Sequence, residues 1–219
     1  MEHKKMILAG IIFLCAVSGI SAQQAVIRDL AGTVEIKRAG ATAWEPARQG
    51  QFLTGDTAIS TGFRSTAVIT LGNSVLVVRP LTRLTLAELS RMQDTEKVEL
   101  NLQTGRVRAD VKPPEGAKTE FTVRSSAATA SVRGTVFEFD TYNLTVNEGT
   151  VEFVGALGAS VLIDAGGISY TGDTTGRAIP PEETAAAELK PDLPIASNPL
   201  PEERPVQGET VKLFVTVRF

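Results

Sequence analysis

From Ala25 to about Tyr170, apolar and polar residues alternate with a period of two. In TVEIKR, Val34 and Ile36 fall on one side and Glu35 and Lys37 on the other. KVELNLQ repeats this with Val98, Leu100 and Leu102 against Glu99, Asn101 and Gln103. RVRADV does so with Val107, Ala109 and Val111, and TEFTVR with Phe121 and Val123. Neighbouring side chains on a strand point to opposite faces, so the pattern predicts strands with one buried face. STAVITLGNSVLVVRP predicts a hairpin turning at Gly72-Asn73, and LTVNEGTVEF a second one turning through Asn147-Glu148-Gly149. Within this span helical patterning is confined to LAELSRMQ (residues 86–93), which fits one or two turns but lies between strand-like runs; PEETAAAELK in the later Pro-rich stretch fits a short helix. The predicted class is all-β, built of stacked short strands in a solenoid-like domain, with a β-sandwich as the alternative.

A Gly-Thr-Val cassette recurs at Gly32-Thr33-Val34, Gly134-Thr135-Val136 and Gly149-Thr150-Val151, with a variant starting at Gly105. Glycine tolerates positive φ and close backbone approach, and Thr and Val favour the extended state. The cassette therefore reads as strand-entry punctuation. In the stretch after Gly134, Thr135, Phe137 and Phe139 share one face, predicted to be buried, and Val136, Glu138 and Asp140 the other.

The composition changes at both ends. MEHKK is followed by the apolar run MILAGIIFLCAVSGI and by Ser21-Ala22, which reads as a signal peptide over residues 1–22 cleaved after Ala22. Residues 23–175 form the predicted domain. A Pro-rich linker follows over 176–210, where Pro180, Pro181, Pro191, Pro194, Pro199, Pro201 and Pro205 fall. Residues 211–219, VKLFVTVRF, predict a C-terminal strand with Val211, Leu213, Val215, Val217 and Phe219 on one face. Alternating apolar positions ending in Phe resemble the final strand of outer-membrane barrel proteins. One strand cannot close a barrel, so its expected roles are to cover an edge of its own domain or to add to an envelope partner.

Charge and residue usage exclude several chemistries. The net charge of −3 gives no basic footprint for nucleic acid. The single histidine, His3, and the single cysteine, Cys15, lie in the signal segment. The remaining chain has neither thiolate nor imidazole, which excludes Ser-His-Asp and Cys-His catalysis and zinc sites built on those residues. No cofactor is expected.

The order of the turn motifs points to a family. WEPARQGQFLTGDTAISTG, with Trp44, Pro46, Gly50, Leu53, Gly55-Asp56 and Thr61-Gly62, resembles the opening of the FecR domain, named after the periplasmic regulator of iron-dicitrate uptake. The Pro80–Leu84 segment and SVRGTVFEF, with Gly134, Thr135 and Phe137, match later parts of the pattern, so the resemblance covers about residues 30–155. It implies an extracytoplasmic all-β domain, periplasmic or secreted, that works by protein contact, with an envelope or outer-membrane protein as partner and peripheral membrane association. A full regulator of this type carries a cytoplasmic sigma-factor segment and a membrane helix, and some carry a secretin-like module after the domain. Here only MEHKK precedes the apolar run, and a Pro-rich tail follows. The expectation is a FecR-like domain without the sigma-regulating segment, non-enzymatic, in a binding or scaffold role related to signalling.

Two other functions compete with it. Glu138 and Asp140, one residue apart on a strand face, have the spacing of paired carboxylates for a carbohydrate-active hydrolase, although such positions are usually solvated charges. An uncleaved N-terminus makes a membrane-anchored signalling component. A calcium reading of Asp164 and Asp173 lacks a D-x-D-x-D-G loop. The sequon at Asn143–Thr145 lies in a strand pattern and is given no role. Trp44 is expected to anchor the core or its rim rather than serve as a sugar platform.

Overall fold

The computed structural model describes residues 25–92, 94–171 and 176–183. Residues 1–22, read above as a signal peptide, and residues 211–219 lie outside the described residues. The first strands are β1 (Ala25–Ala31), β2 (Val34–Lys37), β3 (Glu45–Pro46), β4 (Phe52–Leu53) and β5 (Thr57–Thr61). They are followed by β6 (Thr66–Leu71), β7 (Ser74–Val78), β8 (Arg83–Met92), β9 (Thr95–Thr104), β10 (Arg106–Asp110) and β11 (Lys118–Arg124). The last are β12 (Ala128–Val132), β13 (Val136–Asp140), β14 (Asn143–Glu148), β15 (Thr150–Gly155), β16 (Ser160–Asp164) and β17 (Ile168–Tyr170).

These strands form two stacked sheets. The first runs β17-β14-β13-β10-β7-β6-β1-β4 and the second β16-β15-β12-β11-β9-β8-β5-β2-β3. All pairings are antiparallel except β9 with β11, which run parallel. The chain passes from sheet to sheet and, after its first strands, advances along both in one direction. This progression is the solenoid-like feature the sequence predicted, and the shared core between two sheets is the sandwich-like one.

The alternation decides what lies between the sheets. Ile69, Leu76, Leu86, Leu100 and Phe139 are each fully buried, and all the large buried side chains join one apolar cluster. Burying such a side chain is worth about 1.5–3 kcal/mol. Rings from opposite sheets interlock there. Phe121 on β11 meets Phe137 on β13 edge to face with centroids 6.3 Å apart, and Phe139 meets Phe153 on β15 at 5.9 Å.

Two local expectations fail. Residues 86–92 make no helical turn, because β8 continues to Met92 and pairs with β9 as far as Met92↔Thr95, while residue 93 lies outside the described residues. A register shift between Leu86 and Glu88 breaks the alternation that would have shown it as a strand. Across this pair Lys97 Nζ donates to Glu88 Oε2 at 2.6 Å, and Glu88 is held below its usual carboxylate range by that bond and by Ser90. The second failure is the turn at Asn147-Glu148-Gly149. The Gly72-Asn73 hairpin forms as expected, with Leu71 opposite Ser74. At Gly149, however, β14 pairs with β13 and β17 in one sheet while β15 pairs with β12 and β16 in the other. Gly149 is a corner between sheets.

The glycine cassette marks such corners. Gly32 separates β1 from β2, Gly105 separates β9 from β10, and Gly149 separates β14 from β15, each crossing at positive φ. A hydroxyl side chain presses against each of these three corners: Ser65 at Gly32, Thr82 at Gly105 and Thr135 at Gly149. Thr82 also clamps its corner, accepting the Arg106 amide at 3.0 Å and donating to the Arg106 carbonyl at 3.1 Å.

Beyond β17 the chain turns back onto the domain. Ala178 bridges Thr171 and is buried, Ile179 donates its amide to the Tyr170 carbonyl, and Ser169 Oγ donates to the Ile179 carbonyl.

Candidate functional site

The strand registers place the turns at 62–65, 79–82, 105, 141–142 and 156–159 on one long edge of the stack, and the parallel β9–β11 pair keeps 124–128 on that edge as well. Hydrogen bonds tie neighbouring turns together. Leu81 donates its amide to the Gly62 carbonyl, Arg79 to the Arg106 carbonyl, and Thr171 to the Tyr142 carbonyl. Ser125 Oγ donates to the Thr141 carbonyl at 2.8 Å. Four large apolar side chains project from this edge into solvent: Phe63 (73% exposed), Leu81 (60%), Tyr142 (49%) and Leu157 (76%). Arg64 lies over the Phe63 ring at 5.3 Å. Phe63 and Leu81 sit at tight corners whose inward positions are taken by the buried Ser65 and Thr82, which leaves the bulky neighbour outside.

Between Leu81 and Thr141 lies a shallow groove of about 790 Å³, lined by Arg79, Pro80, Arg106, Glu138 and Asp140. Glu138 Oε1 stands 3.5 Å from Arg79 Nε and 3.9 Å from Arg106 Nε. Asp140 is half-buried and fully engaged. Its Oδ1 accepts the amides of Tyr142 (3.0 Å) and Asn143 (2.8 Å), and its Oδ2 accepts from Arg106 at 3.2 Å. Burial pushes its carboxyl up, but the two amides, the Asn143 side chain and Arg106 outweigh this and hold it below the usual aspartate range. Asp140 therefore closes the β13–β14 turn, and the two carboxylates are paired with arginines rather than simply solvated. In a glycosidase pair a carboxylate held ionised in this way has the state of the nucleophile or base and not of the acid.

The residues singled out from the sequence are spread over the corners and do not converge. Trp44 is half-buried on the outer face of the second sheet, between Lys37 and Arg83, at the rim rather than in the core. Gly50 crosses at positive φ and donates its amide to the Ile27 carbonyl, and Asp56, after Gly55, holds φ 60°. Thr61 is buried, with its hydroxyl donating to the Arg79 carbonyl at 2.6 Å, and Gly62 donates to the Thr33 carbonyl. Pro80 lines the groove, Gly134 packs on Pro113, and Thr135 and Phe137 point inward. Leu213, Val215, Val217 and Phe219 lie outside the described residues. Asp164 is bonded to Thr150 Oγ1 at 2.7 Å. Among the described residues, no group of three or more His, Cys, Asp or Glu side chains could hold a metal ion, and no helix is long and apolar enough to cross a membrane.

The exposed apolar edge was missed from the sequence. The signal that finds it is a bulky residue just beside a corner: Gly62-Phe63, Pro80-Leu81 and Leu157-Gly158.

Comparison with known proteins gives the chain its family context. Two crystal structures of a candidate anti-sigma factor from Parabacteroides distasonis ATCC 8503, at 1.65 and 2.50 Å resolution, are similar to it with a TM-score of 0.46 and 19% identity. The similarity covers 61% of this chain and 65% and 64% of the two structures, a little under two thirds of their length. No curated protein matches the chain. The family model described as FecR protein matches residues 57–152. The match runs from β5 into β15 and includes the Thr61, Pro80, Gly134 and Phe137 motifs, while Trp44, Gly50, Gly55 and Asp56 precede it. Over residues 57–152, the chain carries a FecR domain.

Proposed function

We propose that this is a non-enzymatic envelope protein, periplasmic or secreted, that acts by protein–protein contact through the FecR domain in a binding or scaffold role related to signalling. The observation that carries the reading is the row of Phe63, Leu81, Tyr142 and Leu157 along one edge of that domain and its continuation. Exposed apolar side chains gathered along one edge mark an interaction surface, and the Arg79, Arg106, Glu138 and Asp140 groove between them supplies charge to set register.

A photo-crosslinking residue placed at Leu81 or Tyr142 tests the proposal in the native envelope. The same discrete adduct from both positions, and none from Glu120 on the outer face of the second sheet, is the expected result. Adducts of equal yield from all three positions count against an edge-specific partner. The mass of the exported protein reports cleavage after Ala22, and an intact N-terminus replaces the secreted form with a membrane-anchored one.

A further inference from the structure

The second sheet carries a groove of about 570 Å³ between its outer face and the loop of residues 38–44. The small side chain of Ala58 on β5, opposite Lys37 on β2, lines its floor. Trp44 lies in the groove with Lys37 Nζ 5.4 Å and Arg83 Cζ 5.3 Å from its ring centroid. Arg38, also in the lining, is paired with Glu45 at 3.1 Å. Neither Lys37 nor Arg83 has an ion-pair partner among the described residues, although the chain has more acidic than basic side chains. Asp56 is the one carboxylate in the lining, and the Gln103 amide, bonded to Thr85 Oγ1 at 3.1 Å, completes the polar wall.

A ring face compensates a cation only weakly at an exposed site, so two cations gathered at one indole are left with unspent attraction for an anion. We propose that this groove is an oxyanion-binding site, in which Lys37 and Arg83 bind carboxylate or phosphate groups, Trp44 fixes the two cations, and Gln103 donates a further hydrogen bond. Arg83 suits the planar, two-point recognition of such groups, and Lys37 adds a point charge. The same chemistry is offered by a small free anion and by the acid groups of a polysaccharide.

Trp44 is the single tryptophan of the chain, so its fluorescence reads this groove alone. The full-length protein is titrated with pyrophosphate and separately with polygalacturonate, against sodium chloride at matched ionic strength to separate binding from screening. A saturable change in emission with either anion, absent with chloride, is expected. Saturation with pyrophosphate assigns a small free ligand, and saturation with polygalacturonate alone assigns a glycan. Lys37→Gln and Arg83→Gln, both at the surface, should each weaken binding by about tenfold or more, with unchanged far-ultraviolet circular dichroism. No saturable change with either anion, or wild-type affinity in either folded variant, overturns the proposal.

Discussion

Phe139 and Phe153 meet edge to face at 5.9 Å and 80°, one ring from each sheet, toward the C-terminal end of the shared core. This contact joins strands that do not hydrogen-bond to each other, so side-chain packing alone holds the sheets together here. Phe139→Ala and Phe153→Ala should each cost about 3–5 kcal/mol. The double variant should show a coupling of about 0.5–1.5 kcal/mol beyond burial. Chemical denaturation of the four-member cycle measures it, and strictly additive losses would mean that the rings do not act on each other.

Glycine at the corners makes a second prediction. Gly105 has φ 89°, and a β-carbon there would stand 2.5 Å from the Thr82 Cα and 2.7 Å from the Leu81 carbonyl oxygen. Gly40 has φ 72° but open space around it. Gly40→Ala therefore carries only the left-handed strain of about 1–2 kcal/mol. Gly105→Ala adds a backbone clash and should cost about 3 kcal/mol or more. Equal melting temperatures for the two variants would show that close approach at the corner is unimportant.

Much of this architecture is legible in local pattern. The faces of β13 follow from Phe137 and Phe139 alternating with Glu138, and the Gly72-Asn73 hairpin follows from its turn residues. Gly149 shows where local reading stops. Glycine at positive φ serves a hairpin and a sheet-to-sheet corner equally well, and the choice is made by which distant strands pair with β14 and β15. The groove at Trp44 was illegible for a similar reason. Lys37, Trp44 and Arg83 come together only because β2, β5 and β8 are neighbours in one sheet. Asp140 looked like a solvated charge because its partner Arg106 is 34 residues away.

Asp140 gives a pH-dependent prediction. Burial opposes its ionisation, but the Tyr142 and Asn143 amides, the Asn143 side chain and Arg106 prevail, so its folded-state pKa lies below the unfolded one. A depressed carboxyl stabilises the fold above its unfolded pKa of about 3.9. That contribution is lost as pH falls through the folded-state value. Asp140→Asn should therefore be less stable at neutral pH, and its stability should change less than that of the wild type below about pH 4. Thermal melts between neutral and acid pH measure both curves. Curves that stay parallel down to the acid end would remove Asp140 as a source of the acid sensitivity.

The last prediction concerns the open end of the second sheet. β16 pairs only with β15, and among the described residues no strand lies on its other side. Its Val161 and Ile163 point to the core while Leu162 is 68% exposed. The neighbouring edge of β17, by contrast, is covered in part by Ala178 and Ile179. An open strand edge invites pairing with another chain, and residues 211–219 have the period-two pattern that would continue it, with Val211, Leu213, Val215, Val217 and Phe219 on one face. From Glu183, 27 residues intervene before Val211, and an extended Pro-rich segment covers about 3.1 Å per residue, so reach is sufficient. Deleting residues 207–219 should lower the melting temperature if this segment covers its own domain, and should leave it unchanged while abolishing envelope association if it adds to a partner. The intramolecular cover is the expected outcome, because it removes the exposed edge without a second chain. A deletion that alters neither stability nor association would eliminate both roles.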